Sequence, residues 1–219
     1  MFPSKYALAL HTSSPELGLA INNFTDEVRS QTWDLGRELS TQFHQYLAEF
    51  LQPQTWSDLA FIAVAKGPGS FTGTRIGVVT ARTLAQQLDI PLFAISTLAA
   101  AAYFQKLTDT SIPDNTDLAV QMPAQRGQIF AGIYKPSQNA GLTTLLPDIA
   151  MTLEQWQQTL ADWPNSYYLI HAEAGLGASV GSLLTLAYFD WQQGLSPNWS
   201  EALPFYGQHP VDDKNVTAQ

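Results

Sequence analysis

Cysteine is entirely absent from the 219 residues of the chain. Disulfides, thiol nucleophiles and thiolate metal sites are therefore excluded, and a reducing compartment is permitted. Charge is also scarce, because charged residues make up 13% of the chain, against about 25% in ordinary soluble domains. A low charged fraction is typical of a well-buried two-lobe fold, and equally of a surface that a partner protein partly covers. Composition alone leaves both interpretations open.

Basic residues are few as well. The chain has 10 Lys and Arg against 19 Asp and Glu, a net charge of -9 and a pI of about 4.7. Because phosphate neutralisation supplies most non-specific affinity for nucleic acid, we do not expect this chain to bind RNA or DNA strongly by itself. Its apolar runs fall short of the ~20 residues that span a membrane, and its first residues lack a signal-peptide pattern. The expectation is a cytoplasmic protein with no membrane association.

Recognisable catalytic groupings are missing too. The histidines, which are His11, His44, His171 and His209, are never three or four residues apart, so no zinc-binding helix pair is present. Ser70 follows Gly69 directly and therefore does not form a G-x-S-x-G nucleophile elbow. The acidic pair that stands out, Asp212 and Asp213, lies in the polar C-terminal segment. The sequence predicts no catalytic residue, no metal site and no cofactor.

What the chain does have is an alternation of short apolar strands with amphipathic helices. Strands at 6–10, 17–21 and 28–33 predict an antiparallel meander. A helix over 35–51 follows, with Asp34 as its N-cap and Pro53 after its end. Next come a strand at 59–65, a helix that ends at 88, a strand at 91–95 and a helix from 97 to about 105, capped by Ser96.

A second, smaller set of elements follows a polar stretch at 107–117. The pattern predicts a hairpin of 118–122 with 128–134, a helix over 153–163, a strand at 167–170 and a helix over 178–193. Together these elements predict an α/β protein with mixed sheets and flanking helices. We expect an N-terminal lobe over 1–106, to which a segment near 205–212 returns, a C-terminal lobe over 107–204 and a polar tail over 213–219.

The most informative segment is the glycine-rich stretch Gly67-Pro-Gly-Ser-Phe-Thr-Gly-Thr-Arg-Ile-Gly77, between the fourth strand and the second long helix. A strand, glycine loop and helix in this order can bind an anion at the helix start, or can let two backbones pack closely. The phosphate motifs fail, because Thr74 replaces the lysine of a Walker A loop and the glycine spacing does not fit G-x-G-x-x-G. The loop residues are Gly67, Gly69, Ser70, Phe71, Thr72 and Gly73.

The helix after this loop carries small residues at Gly73, Gly77, Ala81 and Ala85. A spacing of four places them on one face, so another backbone can approach that face closely. The contact can lie within the chain or with a partner protein, and the spacing alone favours an internal contact.

The glycine segment, together with Pro91 and the run Ile95-Ser96-Thr97-Leu98, resembles the TsaB (YeaZ) family. Members of this family are dimerisation subunits of the bacterial machinery that makes threonylcarbamoyladenosine in tRNA. The resemblance implies an actin-like fold of the sugar-kinase and Hsp70 type, with two ribonuclease H-like lobes, and a non-catalytic role. It also implies a TsaD-like transferase as partner, a TsaE-like ATPase in the complex, contact with tRNA only through that complex, and a homodimer when the partner is absent.

In this family the first two long helices form the partner interface. Carried onto this sequence, that surface comprises Leu39, Phe43, Tyr46, Leu47, Gly73, Ile76, Gly77, Thr80, Ala81 and Leu84. The chain departs from the family pattern at His11, where an aspartate is usual, at Pro123-Ala124-Gln125 in place of Asp-Ala-Arg, and at Gly207-Gln208. Each departure argues against nucleotide hydrolysis, since imidazole does not replace a carboxylate around magnesium. An ATP-dependent small-molecule kinase and an inactive peptidase-like homologue remain as alternatives.

Overall fold

The computed structural model describes residues 5–137, 141–205 and 207. Its first sheet has the strand order β3-β2-β1-β4-β5. The antiparallel meander consists of β1 (Tyr6–His11), β2 (Glu16–Asn22) and β3 (Val28–Asp34). On the other side of β1, the sheet continues with two parallel strands, β4 (Leu59–Ala65) and β5 (Leu92–Ile95). The predicted meander and the two later strands are thus confirmed.

Helices α1 (Leu39–Leu51) and α2 (Phe71–Leu88) share one large core with this sheet. The start of α1 differs from the prediction, because a short 3-10 turn, Gly36–Glu38, precedes it and no side chain caps it. Asp34 is still in the sheet, paired with Glu16, and Gly36 N donates to Pro15 O. The chain is therefore held extended where the sequence predicted a helix cap.

The opposite face of the first sheet carries small residues and is covered by α5 (Val180–Gln192), which the short 3-10 turn Leu176–Ser179 precedes. Helix α3 (Thr97–Thr108) lies beside α5 and packs on the second sheet. Ser96 caps α3 as predicted, since its hydroxyl accepts from Ala99 N. The two helices therefore form the layer between the sheets.

The second sheet has the order β8-β7-β6-β9. Its strands are β6 (Asp117–Pro123), β7 (Gln128–Ser137), β8 (Gly141–Thr152) and β9 (Tyr167–His171), and α4 (Leu153–Ala161) buries Trp156 against it. The hairpin of β6 with β7 was predicted, whereas β8 was not. As an edge strand, β8 contains Pro147, and its exposed positions do not follow a regular alternation.

Two mixed sheets with helices on their faces confirm the predicted α/β class. Across the predicted division at 106/107, α3 packs mainly on the second sheet and α5 mainly on the first. Phe205 N donates to Lys66 O at 2.7 Å, while 206, 208–212 and the predicted tail lie outside the described residues. The lobe boundaries therefore stay a prediction.

In the part of the chain that the structure describes, no helix combines the length and apolarity that a membrane span requires.

Candidate partner-binding surface

The glycine loop packs tightly against the turn that follows β1. Thr12 Oγ1 donates to Gly73 O at 2.7 Å, and Ser70 N donates to Ser13 O at 2.7 Å. A Cβ at Gly69 would lie 2.0 Å from Ser13 O, and one at Gly73 would lie 2.1 Å from Thr12 O. These glycines are required because any side chain would collide with a backbone carbonyl.

Two amides at the start of α2 donate within the chain. Ser70 caps the helix by accepting from Gly73 N at 3.2 Å, and Thr74 N donates to Ser70 O at 2.8 Å. An anion site at a helix start needs such N–H groups to be available. Together with the close packing on the turn, these bonds favour a structural role for the glycine loop over a phosphate-binding one.

The small-residue face of α2 also packs inside the chain. A Cβ at Gly77 would lie 2.2 Å from Thr12 Oγ1, and Ala81 and Ala85 are fully buried in the core of the first sheet. The internal contact that the spacing favoured is therefore the one the structure contains. Gly73 and Gly77 pack on the turn at Thr12 and Ala81 on the core, and a partner contact through these residues stays a prediction.

The remaining predicted interface residues fall into two groups. Leu39, Phe43 and Leu47 are buried in the same core, and their contact with a partner likewise stays a prediction. Four others are partly exposed on α1 and α2, namely Tyr46, Ile76, Thr80 and Leu84. Thr80 Oγ1 lies 3.4 Å from His44 Nε2, which links the two helices at their surface.

A different stripe of α2 faces outward. Phe71, Arg75 and Val79, which we call the outer stripe, are exposed, and the exposed fractions of Phe71 and Val79 are 46% and 60%. The Arg75 guanidinium carbon lies 3.9 Å from the centre of the Phe71 ring. Arg75 and Val79 were not among the predicted interface residues, although the helix period places them opposite the small-residue face. Residues two positions from a buried ridge lie about 200° around the helix and thus on its opposite face.

His11 is fully buried at the end of β1. Neither of its ring nitrogens has a hydrogen-bond partner in the described part of the chain. Burial lowers the pKa of His11 to about 4, against a smaller opposing effect of the Glu16 carboxylate. The side chain is therefore neutral at pH 7 and supplies no hard anionic ligand where the family has aspartate.

A second departure from the family pattern, Pro123-Ala124-Gln125, begins at the end of β6 in the second sheet. Pro123 ends β6, and Ala124 N donates to Gln128 O at 3.0 Å, closing the hairpin. Across residues 5–137, 141–205 and 207, no three His, Cys, Asp or Glu side chains come together as a metal site would require. Gly207 is described, and Gln208 lies outside the described residues.

Comparisons with known proteins find similarity to two kinds of protein named for threonylcarbamoyladenosine in tRNA, TsaD and TsaB. Residues 36–158 match the family model described as "TsaD: tRNA N6-adenosine threonylcarbamoyltransferase". The chain is 36% identical over 160 residues to the tRNA threonylcarbamoyladenosine biosynthesis protein TsaB of Bacillus subtilis, a match that covers 71% of this chain and 66% of that protein. It is 30% identical to TsaB of Escherichia coli over 169 residues, which is 74% of this chain and 68% of that protein.

A solved structure has the same fold. YeaZ from Pseudomonas aeruginosa superposes with a TM-score of 0.74 at 21% identity, over 92% of this chain and 100% of that one. At this level of identity the likeness concerns the fold alone. It places the two mixed sheets and the helices between them in an arrangement already known from a crystal.

Proposed function

The chain belongs to the TsaB (YeaZ) family, and from this premise we propose that it is a non-catalytic subunit in the threonylcarbamoyl modification of tRNA. In this proposal it supports a TsaD-like transferase that modifies the adenosine beside the anticodon, with a TsaE-like ATPase as a further component. The complex works in the cytoplasm. The tRNA is bound by the complex, because a chain with a net charge of -9 repels phosphates.

The observation that carries this proposal is the outer stripe of α2. An exposed Phe71 and an exposed Val79 on one helix face form an apolar surface with Arg75 between them. Partly exposed Ile76 and Thr80 border this surface toward α1. Apolar and aromatic residues with an arginine are the composition that protein–protein interfaces favour. We propose the same surface for the TsaD-like partner and for a homodimer when that partner is absent.

The two alternative functions have less support. A kinase of this fold needs a carboxylate near position 11 and free amides around the phosphates. Instead, His11 is neutral and buried, and Ser70, Gly73 and Thr74 donate their amides within the chain. A metallopeptidase needs a ligand cluster that the described residues do not contain.

Reconstitution tests the proposal directly. Threonylcarbamoyl transfer to tRNA is measured with a TsaD-like and a TsaE-like protein from the same organism, with and without this chain. We expect transfer only when the chain is present, and no transfer by the chain alone. Equal transfer in its absence would exclude the supporting role, and transfer by the chain alone would exclude the non-catalytic one.

A further inference from the structure

A cleft of ≈ 370 Å³ lies between the start of α3 and the second sheet, away from the outer stripe. Leu142, Leu186 and Phe205 are among its apolar walls, and Lys66, Asp148 and Asp190 bring charge to it. Small-molecule sites are typically clefts of about 300–1,000 Å³ with mostly apolar walls and a few polar groups. This cleft has the size of a site for a compact ligand, and its walls combine apolar and polar side chains.

Three of its polar side chains, Ser96, Tyr134 and Asp148, are joined by hydrogen bonds. The Tyr134 hydroxyl donates to Asp148 Oδ1 and lies 3.2 Å from Ser96 Oγ. The Lys66 ammonium attracts the Asp148 carboxylate and favours its charged form, although burial raises the pKa of Asp148 overall. Lys66 and Asp148 therefore offset each other's charge.

Asp190, on α5, is the carboxylate of the cleft that stands outside this network. Its carboxyl group has no hydrogen bond or ion pair within the described residues, and it is partly buried on the wall of the cleft. Burial alone raises its pKa. A partly buried carboxylate without a partner raises the free energy of the folded state, because it has lost part of its hydration. A cation bound beside it would lower that free energy again.

We propose that this cleft binds a small aliphatic primary amine, whose ammonium group pairs with Asp190 and whose carbon chain lies against Leu142 and Leu186. An ammonium supplies the positive charge that Asp190 lacks, and a short carbon chain suits the apolar walls. Binding is independent of the proposed partner surface, since the residues of the outer stripe do not line the cleft.

The test uses n-butylammonium chloride as the probe and n-butanol as a neutral probe of nearly the same shape. Binding to the full chain is followed by two-dimensional NMR of the backbone amides. We expect saturable shifts around Ser96, Leu142 and Asp190 with a dissociation constant on the order of 1–10 mM, because the ligand is very small. Butanol should bind at least about 10-fold more weakly, since it lacks the charge-assisted bond.

Two variants identify the site. Asp190→Asn should weaken butylammonium binding at least about 10-fold while leaving the fold intact, because the change removes an unpaired charge. Thr144→Leu, at an exposed position that lines the cleft, should block binding by filling space.

The matched control Asp34→Asn lies at an exposed position outside the cleft and should bind as the wild type does. Equal binding by Asp190→Asn, equal binding of butanol, or no saturation below about 100 mM would overturn the proposal.

Discussion

At the scale of single residues, the buried His11 couples protonation to folding. Its pKa is about 4 in the folded chain and 6.5 when unperturbed, so between these values the unfolded chain binds the proton and the folded chain does not. The contribution of neutral His11 to the free energy of unfolding is therefore fully present above pH 6.5 and is lost as the pH is lowered toward 4. The loss from this residue is on the order of 3 kcal/mol, at about 1.4 kcal/mol per pH unit.

His11→Leu should remove this contribution. Urea unfolding between about pH 4.5 and 7.5 should give a smaller loss of stability at low pH for the variant than for the wild type. His171→Leu, at an exposed position, is the control and should keep the wild-type dependence. Identical pH profiles for His11→Leu and wild type would show that His11 is not the group responsible.

A second residue, Val79, separates partner binding from folding. It is 60% exposed, and Val28, on the edge strand β3, is 75% exposed. Glutamate at either position costs little folding energy, because exposed substitutions usually change stability by less than about 0.5 kcal/mol. Val79→Glu places a charge in the proposed interface, so we expect it to weaken binding to a TsaD-like partner at least about 10-fold.

Val28→Glu should leave that affinity unchanged. Isothermal titration calorimetry of both variants against the partner makes the comparison, and thermal melts verify that both are folded. Unchanged affinity for Val79→Glu would place the interface elsewhere than on the outer stripe.

At the scale of elements, the small-residue face of α2 is explained by packing on the turn after β1. Gly77→Ala would bring a Cβ within 2.2 Å of Thr12 Oγ1, which already donates to Gly73 O. Overpacking of this kind costs about 1–3 kcal/mol, and the higher helix propensity of alanine recovers about 1 kcal/mol of it. We therefore expect a net loss of stability on chemical denaturation.

Gly181 in α5 provides the matched control. It lies in a helix, but a Cβ there would meet nothing within 4 Å. Gly181→Ala should therefore stabilise the chain by about 0.5–1 kcal/mol. If both substitutions raised stability, the close contact at Thr12 would not be the reason for glycine at position 77.

The elements differ in how far the sequence predicts them. The meander, the glycine loop and the Ser96 cap are encoded locally, by alternation, turn residues and a capping hydroxyl, and all were predicted. Strand β8 was missed because its place at the edge of the second sheet depends on pairing with β7, a contact between separate segments. The burial of Leu39 and Phe43 in the core of the first sheet could not be predicted for a related reason, since periodicity identifies an apolar helix face without showing what covers it.

At the scale of the whole molecule, α3 and α5 tie the two sheets together. One face of the first sheet presents Ala7, Ala9 and Phe61, and Val180 and Leu183 of α5 cover it. A fragment of residues 1–106 would lack α5 and would expose that face to water. We therefore expect this fragment to fail to unfold cooperatively, whereas the intact chain should unfold in one calorimetric transition with equal calorimetric and van't Hoff enthalpies.

A nicked chain controls for the break in the backbone. A protease site in the exposed turn around Ser111 cuts the chain between α3 and β6 but keeps every element present. Because the core contacts persist, the nicked complex should stay together and melt in a single transition. A fragment 1–106 with its own sharp transition would instead establish the first lobe as an independent folding unit, and α5 would then be an accessory to the first sheet rather than a part of its core.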